Sequence, residues 1–203
     1  AQLSRDVVFM ATADEEAGGF FGVGWLIEHR PELFAGLGYA INEGGGGSEV
    51  DGQTHFSVEV TQKVPYWLRL TTRGEPGHGS RPQGATAVTR LVAALNRLRE
   101  HTFEPRVIPA VDAYFRGLAP TAAPAWQDRY LDMAAAIREP GIATALLEDN
   151  PGLYGLIRNT CSMTRINGSN KINVIPTEAW AELDCRLLPD QNPDEFLEEL
   201  GGV

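Results

Sequence analysis

The sequence predicts an α/β chain in two parts. Residues 1–63 read as a piece of a parallel α/β domain, and residues 64–203 as most of a split β-α-β-β-α-β unit whose last strand is missing. Three observations carry this. Residues 6–13 form an apolar run that leads straight into two adjacent carboxylates, Glu15 and Glu16, as a strand covered on both faces does where it meets a functional turn. After residue 64 the order is strand, helix, strand, strand, helix. Within it, Ala179, Ala181, Leu183, Cys185 and Leu187 alternate with Trp180, Glu182, Asp184 and Arg186, so one strand has an apolar face and a polar face.

Taken in order, residues 19–29 suit a helix that must end before Pro31, because a proline pushes the residue ahead of it out of the α region. Gly38-Tyr-Ala-Ile41 predicts a second short buried strand that ends in Asn42-Glu43, and the glycine run Gly44 to Gly47 predicts a flexible turn. His55 to Val60 alternates with period two, as a half-exposed strand should. Tyr66, Leu68 and Leu70 alternate with Trp67, Arg69 and Thr71, and a loop punctuated by glycine and proline follows from Gly74 to Pro82. Val88, Leu91, Val92, Leu95 and Leu98 recur at helical spacing. This stripe predicts core, and part of it, or the strand edge at Trp67, is a candidate partner face. Residues 105–150, rich in proline and alanine, predict an insertion with short helices. A strand returns at Cys161–Ile166, a Gly-Ser-Asn turn leads to Asn173-Val-Ile-Pro176, and Asn192, Pro193 and Glu195 open a last helix as N-cap, first position and box-like partner.

Composition narrows the function. A net charge of -10 argues against a nucleic-acid partner, which calls for a basic face. No apolar run reaches the roughly 18 residues that cross a bilayer. Cys161 and Cys185 lack metal-type spacing and read as small buried apolar residues, with a disulfide as the alternative. The chain starts at Ala1 without a methionine and reads as an internal piece of a longer protein.

Adjacent carboxylates at a strand end can divide the work of a metal-assisted hydrolase: one holds an ion, the other takes a proton from bound water. Beyond Asp14-Glu-Glu-Ala-Gly-Gly19 come Asn42-Glu-Gly-Gly45, Gly77-His-Gly-Ser-Arg-Pro82 and Asn173-Val-Ile-Pro176, with Arg186 thirteen residues after Asn173. Four motifs in this order closely resemble the dinuclear-zinc aminoacylase and carboxypeptidase family, which includes glutamate carboxypeptidase and succinyl-diaminopimelate desuccinylase. The 105–150 insertion and the Trp67-Leu-Arg-Leu-Thr71 strand are most similar to its vacuolar-carboxypeptidase and N-acyl-amino-acid-hydrolase branch. The resemblance covers nearly the whole chain.

The resemblance implies a partial zinc-hydrolase catalytic domain at 1–63 and a ferredoxin-like α+β lid and dimerisation domain at 64–203. It implies two zinc ions in the intact enzyme, or other divalent metals, and a substrate that is a peptide or N-acyl amino acid with a free carboxylate. Glu15 matches the general base, while Glu16 and Glu43 match ligands to one metal and the other. His78 matches a lid histidine that polarises the substrate carbonyl, commonly from the partner subunit of a homodimer. Asn173 and Arg186 match residues that hold the substrate's amide and carboxylate, and the alternation of the 179–187 strand predicts that they lie close together. The family's His-x-Asp metal motif has no counterpart here: His29, His55, His78 and His101 are the histidines, and His29, His55 and His101 read as surface residues. The rival expectation is a non-catalytic dimerisation or binding module that keeps the lid fold.

Overall fold

The computed structural model describes residues 3–50, 52–81 and 83–203. Pro82, the last residue of the Gly-His-Gly-Ser motif, lies outside them. The described chain forms two compact units, residues 1–44 and residues 45–203.

The first unit holds a 3₁₀ turn at Glu15–Ala17, helix α1 (Val23–His29) and a second 3₁₀ turn at Pro31–Leu33. Helix α1 stops at Arg30, immediately ahead of Pro31, as the proline rule requires. The strands expected at 6–13 and 38–41 do not form among the described residues. Phe9 is 90% exposed and Ile41 100%. A strand exists by hydrogen bonding to a neighbour. An apolar run reports a surface that asks for cover, and no segment of this unit pairs with either run.

The second unit begins with an antiparallel hairpin, β1 (Gly46–Val50) and β2 (Gln53–Ser57). The glycine run is therefore half turn and half strand, because Gly46 and Gly47 lie in β1. Gly45 adopts φ +75°, and a side chain there would run into the Ser57 carbonyl.

The unit continues through β3 (Val64–Arg73), β4 (Gly77–His78) and α2 (Ala87–Glu100). The insertion follows, running past the expected end at 150, as α3 (Pro109–Leu118), α4 (Pro124–Leu131), α5 (Met133–Ala136), α6 (Ile142–Asp149) and α7 (Pro151–Leu156). Last come β5 (Thr160–Asn167), β6 (Val174–Ile175), β7 (Glu178–Leu187) and α8 (Pro193–Gly201). Strand β7 is central in an antiparallel sheet of order β3-β7-β5. Set beside α2 and α8, this is the α+β lid-type arrangement expected for the split unit.

One face of the sheet is packed by helices. Leu91 and Leu95 of α2 and Phe196 of α8 join Ala179, Ala181, Leu183, Cys185 and Leu187 of β7 in one core. Helix α2 opens on a capping box between Thr86 and Thr89, which satisfies two end groups at once. Its apolar stripe divides: Leu91 and Leu95 are core, whereas Val92 is 60% exposed and Val88 is also exposed. Helix α8 is capped as expected at its first residue, with the Asn192 side chain accepting from the Asp194 N–H. The insertion closes on a core of its own, in which Phe115, Met133, Leu146 and Ile157 are fully buried.

Cys161 and Cys185 are joined by a disulfide, so the reading of two free apolar thiols is corrected. They are direct partners in the β5–β7 register, and their side chains share the helix-covered face. The cross-link closes a stretch of 24 residues, a loop for which chain entropy gives about 3 kcal/mol. Reduction should therefore lower the urea midpoint of the chain, while a Cys161→Ala, Cys185→Ala double variant should unfold at one midpoint with or without reductant. Equal midpoints for oxidised and reduced wild type would show that the bond contributes nothing.

Candidate functional site

The acidic turn is shaped by Asp14. This residue adopts φ +70°, a left-handed conformation that aspartate tolerates better than most residues, and its carbonyl accepts from the Gly19 N–H at 2.6 Å. Its side chain accepts from the Phe21 N–H at 2.9 Å. A side chain at Gly22 would collide with the Ala13 carbonyl, so the chain can fold back only with glycine there. The turn thus spends Asp14 on its own geometry and leaves Glu15 and Glu16 exposed, with Glu43 exposed at a bend of the same unit.

In the second unit, β4 and β6 pair as a short ribbon with His78 opposite Val174. The Gly79 N–H donates to the Asn173 carbonyl at 2.8 Å, so His78 and Asn173 are brought to one place. The His78 Nδ1 receives the Ser80 backbone N–H at 3.2 Å and lies 2.8 Å from the Ser80 hydroxyl. A backbone N–H can only donate. Nδ1 therefore carries the lone pair, and Nε2 carries the proton as an outward donor. Both residues are exposed, as a group that meets a substrate must be.

Arg186 lies on the open face of the sheet, away from the helices, where sequence alternation puts it. Asp184 takes one edge of its guanidinium, with Nε donating at 2.8 Å and Nη2 at 3.1 Å. The edge formed by Nη1 and the second Nη2 proton has no partner among the described residues. That edge too can hold a planar carboxylate with two parallel bonds. Lys63 reaches the same end of the sheet, donating to the Thr160 hydroxyl at 2.8 Å and to the Gly155 carbonyl at 3.0 Å. Burial, then the charge of Arg186, pulls its pKa down to about 8. Farther along this face Glu182 bonds both Arg69 and Arg165, and the Arg69 bond is the first cause holding its carboxyl below the usual range.

Asn173 and Arg186 are not neighbours, which corrects the expectation of one cluster. The ribbon of β4 and β6 continues from the Arg73–Glu178 end of the sheet, whereas Arg186 pairs with Pro65 and Thr160 at the other end. Eight residue steps along β7 lead from Glu178 to Arg186, about 26 Å at strand rise. Thirteen residues in sequence could have meant either a tight turn or an extended strand, and β7 is extended. His101 also departs from the reading as a plain surface residue: its Nε2 lies 2.9 Å from Glu199, and its ring meets Phe103 edge-on. Sequence reasoning did not find Lys63 or Ser80. The Ser80 signal was its place two residues after a glycine-flanked histidine; Lys63 had none beyond standing at a strand head.

Residues 60–201 match the peptidase dimerisation domain of the M20 peptidases. The chain belongs to the M20 peptidase family. Among M20 relatives, it is 28% identical to aminoacylase-1 of Homo sapiens and 32% identical to aminoacylase-1 of Sus scrofa, each alignment covering 97% of this chain and 38% of the relative. It is 30% identical to the N-fatty-acyl-amino acid synthase/hydrolase PM20D1 of Mus musculus, over 70% of this chain and 28% of that protein. The chain thus spans well under half the length of the M20 relatives it matches.

Carboxylate oxygens are ordinary donors for a divalent metal, but a catalytic zinc usually takes three protein ligands. Among the described residues no three His, Cys, Asp or Glu side chains converge. Glu16 and Glu43 therefore do not make a metal site by themselves. Calorimetric titration of the 203-residue M20 chain with zinc should show only weak binding, and a peptide-hydrolysis assay no chelator-sensitive turnover. Stoichiometric submicromolar uptake would contradict this.

Lys63 gives a second expectation. Its folded pKa of about 8 lies below the ordinary 10.5, so between these values the unfolded chain holds a proton the folded chain has released. Stability from this group rises with pH across that window, and below about 8 the cost of the buried charge is fully present. Lys63→Met should remove the slope, read as the wild-type minus variant difference in unfolding free energy. A difference that stays flat across the window would mean that Lys63 titrates normally.

Proposed function

We propose that this chain works within a zinc-dependent amidohydrolase that cleaves the amide bond of a peptide or N-acyl amino acid bearing a free carboxylate. The observation that carries the reading is Arg186: a guanidinium steadied by Asp184 on one edge and open on the other is built for a carboxylate. The relatives, aminoacylases and an N-fatty-acyl-amino acid synthase/hydrolase by name, support the same substrate class.

In this reading Arg186 fixes the substrate by its carboxylate. His78 donates from Nε2 to the oxygen of the scissile carbonyl as negative charge develops there. Asn173, beside it, holds the amide. Water adds to the carbonyl carbon, the C–N bond breaks, and Glu15 carries the proton from water to the leaving nitrogen. Glu16 and Glu43 are proposed as ligands to zinc, or another divalent ion, together with ligands outside this set. The metal would supply a water activated near neutral pH.

The separation of His78 from Arg186 bears on assembly. One lid domain cannot set both on a single small substrate across about 26 Å of strand. A two-fold homodimer through the lid domain can, by bringing the His78 end of one copy to the Arg186 end of its partner. The exposed Val88 and Val92 on α2, and Trp67 on β3, are candidate faces for that contact.

The test is the acid-to-amide preference of the full-length enzyme. Arg186→Lys should lower kcat/KM for an N-acyl amino acid by about tenfold or more while sparing its amide, because lysine keeps the charge and loses the fork. An unchanged ratio would refute the clamp.

A further inference from the structure

Three features meet at the Arg186 end of the open sheet face. The first is position. Thr160 is the β5 partner of Arg186, and directly paired residues present their side chains on one face. The Lys63 ammonium bonds the Thr160 hydroxyl, so from the head of β3 it crosses the end of β7 and stops beside Arg186. The second is charge. Lys63 and Arg186 bring two cations together, and the one carboxylate bonded to either among the described residues, Asp184, is already committed to Arg186. The third is unused donors. Lys63 gives two bonds, to Gly155 and Thr160, which leaves a third N–H without a partner among the described residues, close enough to Arg186 to feel its charge.

We propose that Lys63 is a second cation of the Arg186 subsite, so that the substrate carboxylate is bound by the open guanidinium edge and the spare ammonium proton together. The inference rests on the reading of Arg186 as a carboxylate clamp. It extends that reading to the insertion, because the Gly155 carbonyl that steers the ammonium belongs to α7. A ligand with a single negative charge restores the balance that Asp184 alone does not reach. A neutral amide in the same place cannot. Burial depresses the pKa of Lys63 first and the charge of Arg186 second, and the second cause agrees with two cations set close together. The charged group that acts on Lys63 is Arg186 on β7, which is itself paired with Asp184. The contacts of Lys63 on β5 and α7 are a neutral hydroxyl and a neutral carbonyl.

The experiment is an NMR titration of the 203-residue chain with N-acetylalanine and, separately, with its amide. The Arg186 side-chain N–H and the Thr160 amide report binding. Lys63→Met should weaken acid binding roughly tenfold, at the low end of what a hydrogen bond to a charged group is worth, and leave amide binding unchanged. Lys63→Arg should restore it. In wild type, acid affinity should fall as pH is raised through about 8, and in Lys63→Arg it should not, since arginine keeps its charge. Retained dispersion of the amide spectrum shows that each variant is folded. If Arg186→Met abolishes acid binding while Lys63→Met leaves it intact, the role of Lys63 is overturned and the clamp stands. If Arg186→Met leaves acid binding intact, the clamp reading itself is overturned.

Discussion

The strict alternation of β7 is the constraint on which the second unit depends. Ala179, Ala181, Leu183, Cys185 and Leu187 are all buried beneath the helices, and Trp180, Glu182, Asp184 and Arg186 all point the other way. Period two admits no compromise: a slip of one residue would drive two acids and an arginine into the core and lift the apolar set into water. The pairing of β3 and β5 on both sides, and the Cys161–Cys185 bond across one of them, resist that slip. The same geometry that builds the core therefore aims Arg186 and lets Asp184, two residues away, hold it from the same face.

Much of this was legible because it is local. The 179–187 alternation, the helical spacing of Leu91 and Leu95, the Asn192-Pro193 helix start and the stop before Pro31 each follow from a few neighbouring residues and a fixed period. What failed depended on partners distant in sequence. The 6–13 and 38–41 runs have strand composition, but pairing makes a strand, and among the described residues nothing in the first unit pairs with them. The spacing of thirteen from Asn173 to Arg186 is a distance along the chain. Only the register of β4 with β6 and of β3 with β7 shows that the stretch is extended and that the two residues stand at opposite ends.

The candidate site was legible as motifs and illegible as pairs. The motifs mark Glu15, Glu16, Glu43, His78, Asn173 and Arg186, but the chemistry of His78 and Arg186 comes from companions. Ser80 sets which ring nitrogen of His78 carries the proton. Asp184 decides which edge of Arg186 is free. Neither effect has a sequence period. Each follows from the donor and acceptor inventory of two groups that the fold sets side by side.

The insertion shows how a segment with its own core can still act on a distant side chain. Helices α3 to α7 bury their apolar residues among themselves and need little from the sheet for that. Their tie to the sheet is polar. The Gly155 carbonyl takes Lys63, and the Arg106 guanidinium pairs with Asp190, just past the end of β7. Asn159, buried, accepts from the Leu188 N–H just past the end of β7. These contacts fall around the Arg186 end of β7 and far from the His78 ribbon. Polar bonds across a junction are directional where apolar packing is not, so they transmit position. A change within the insertion that shifts α7 should therefore move the ammonium of Lys63 and the end of β7 while leaving the His78–Asn173 corner in place, which makes this segment suited to tune how a carboxylate is held without disturbing how a carbonyl is polarised.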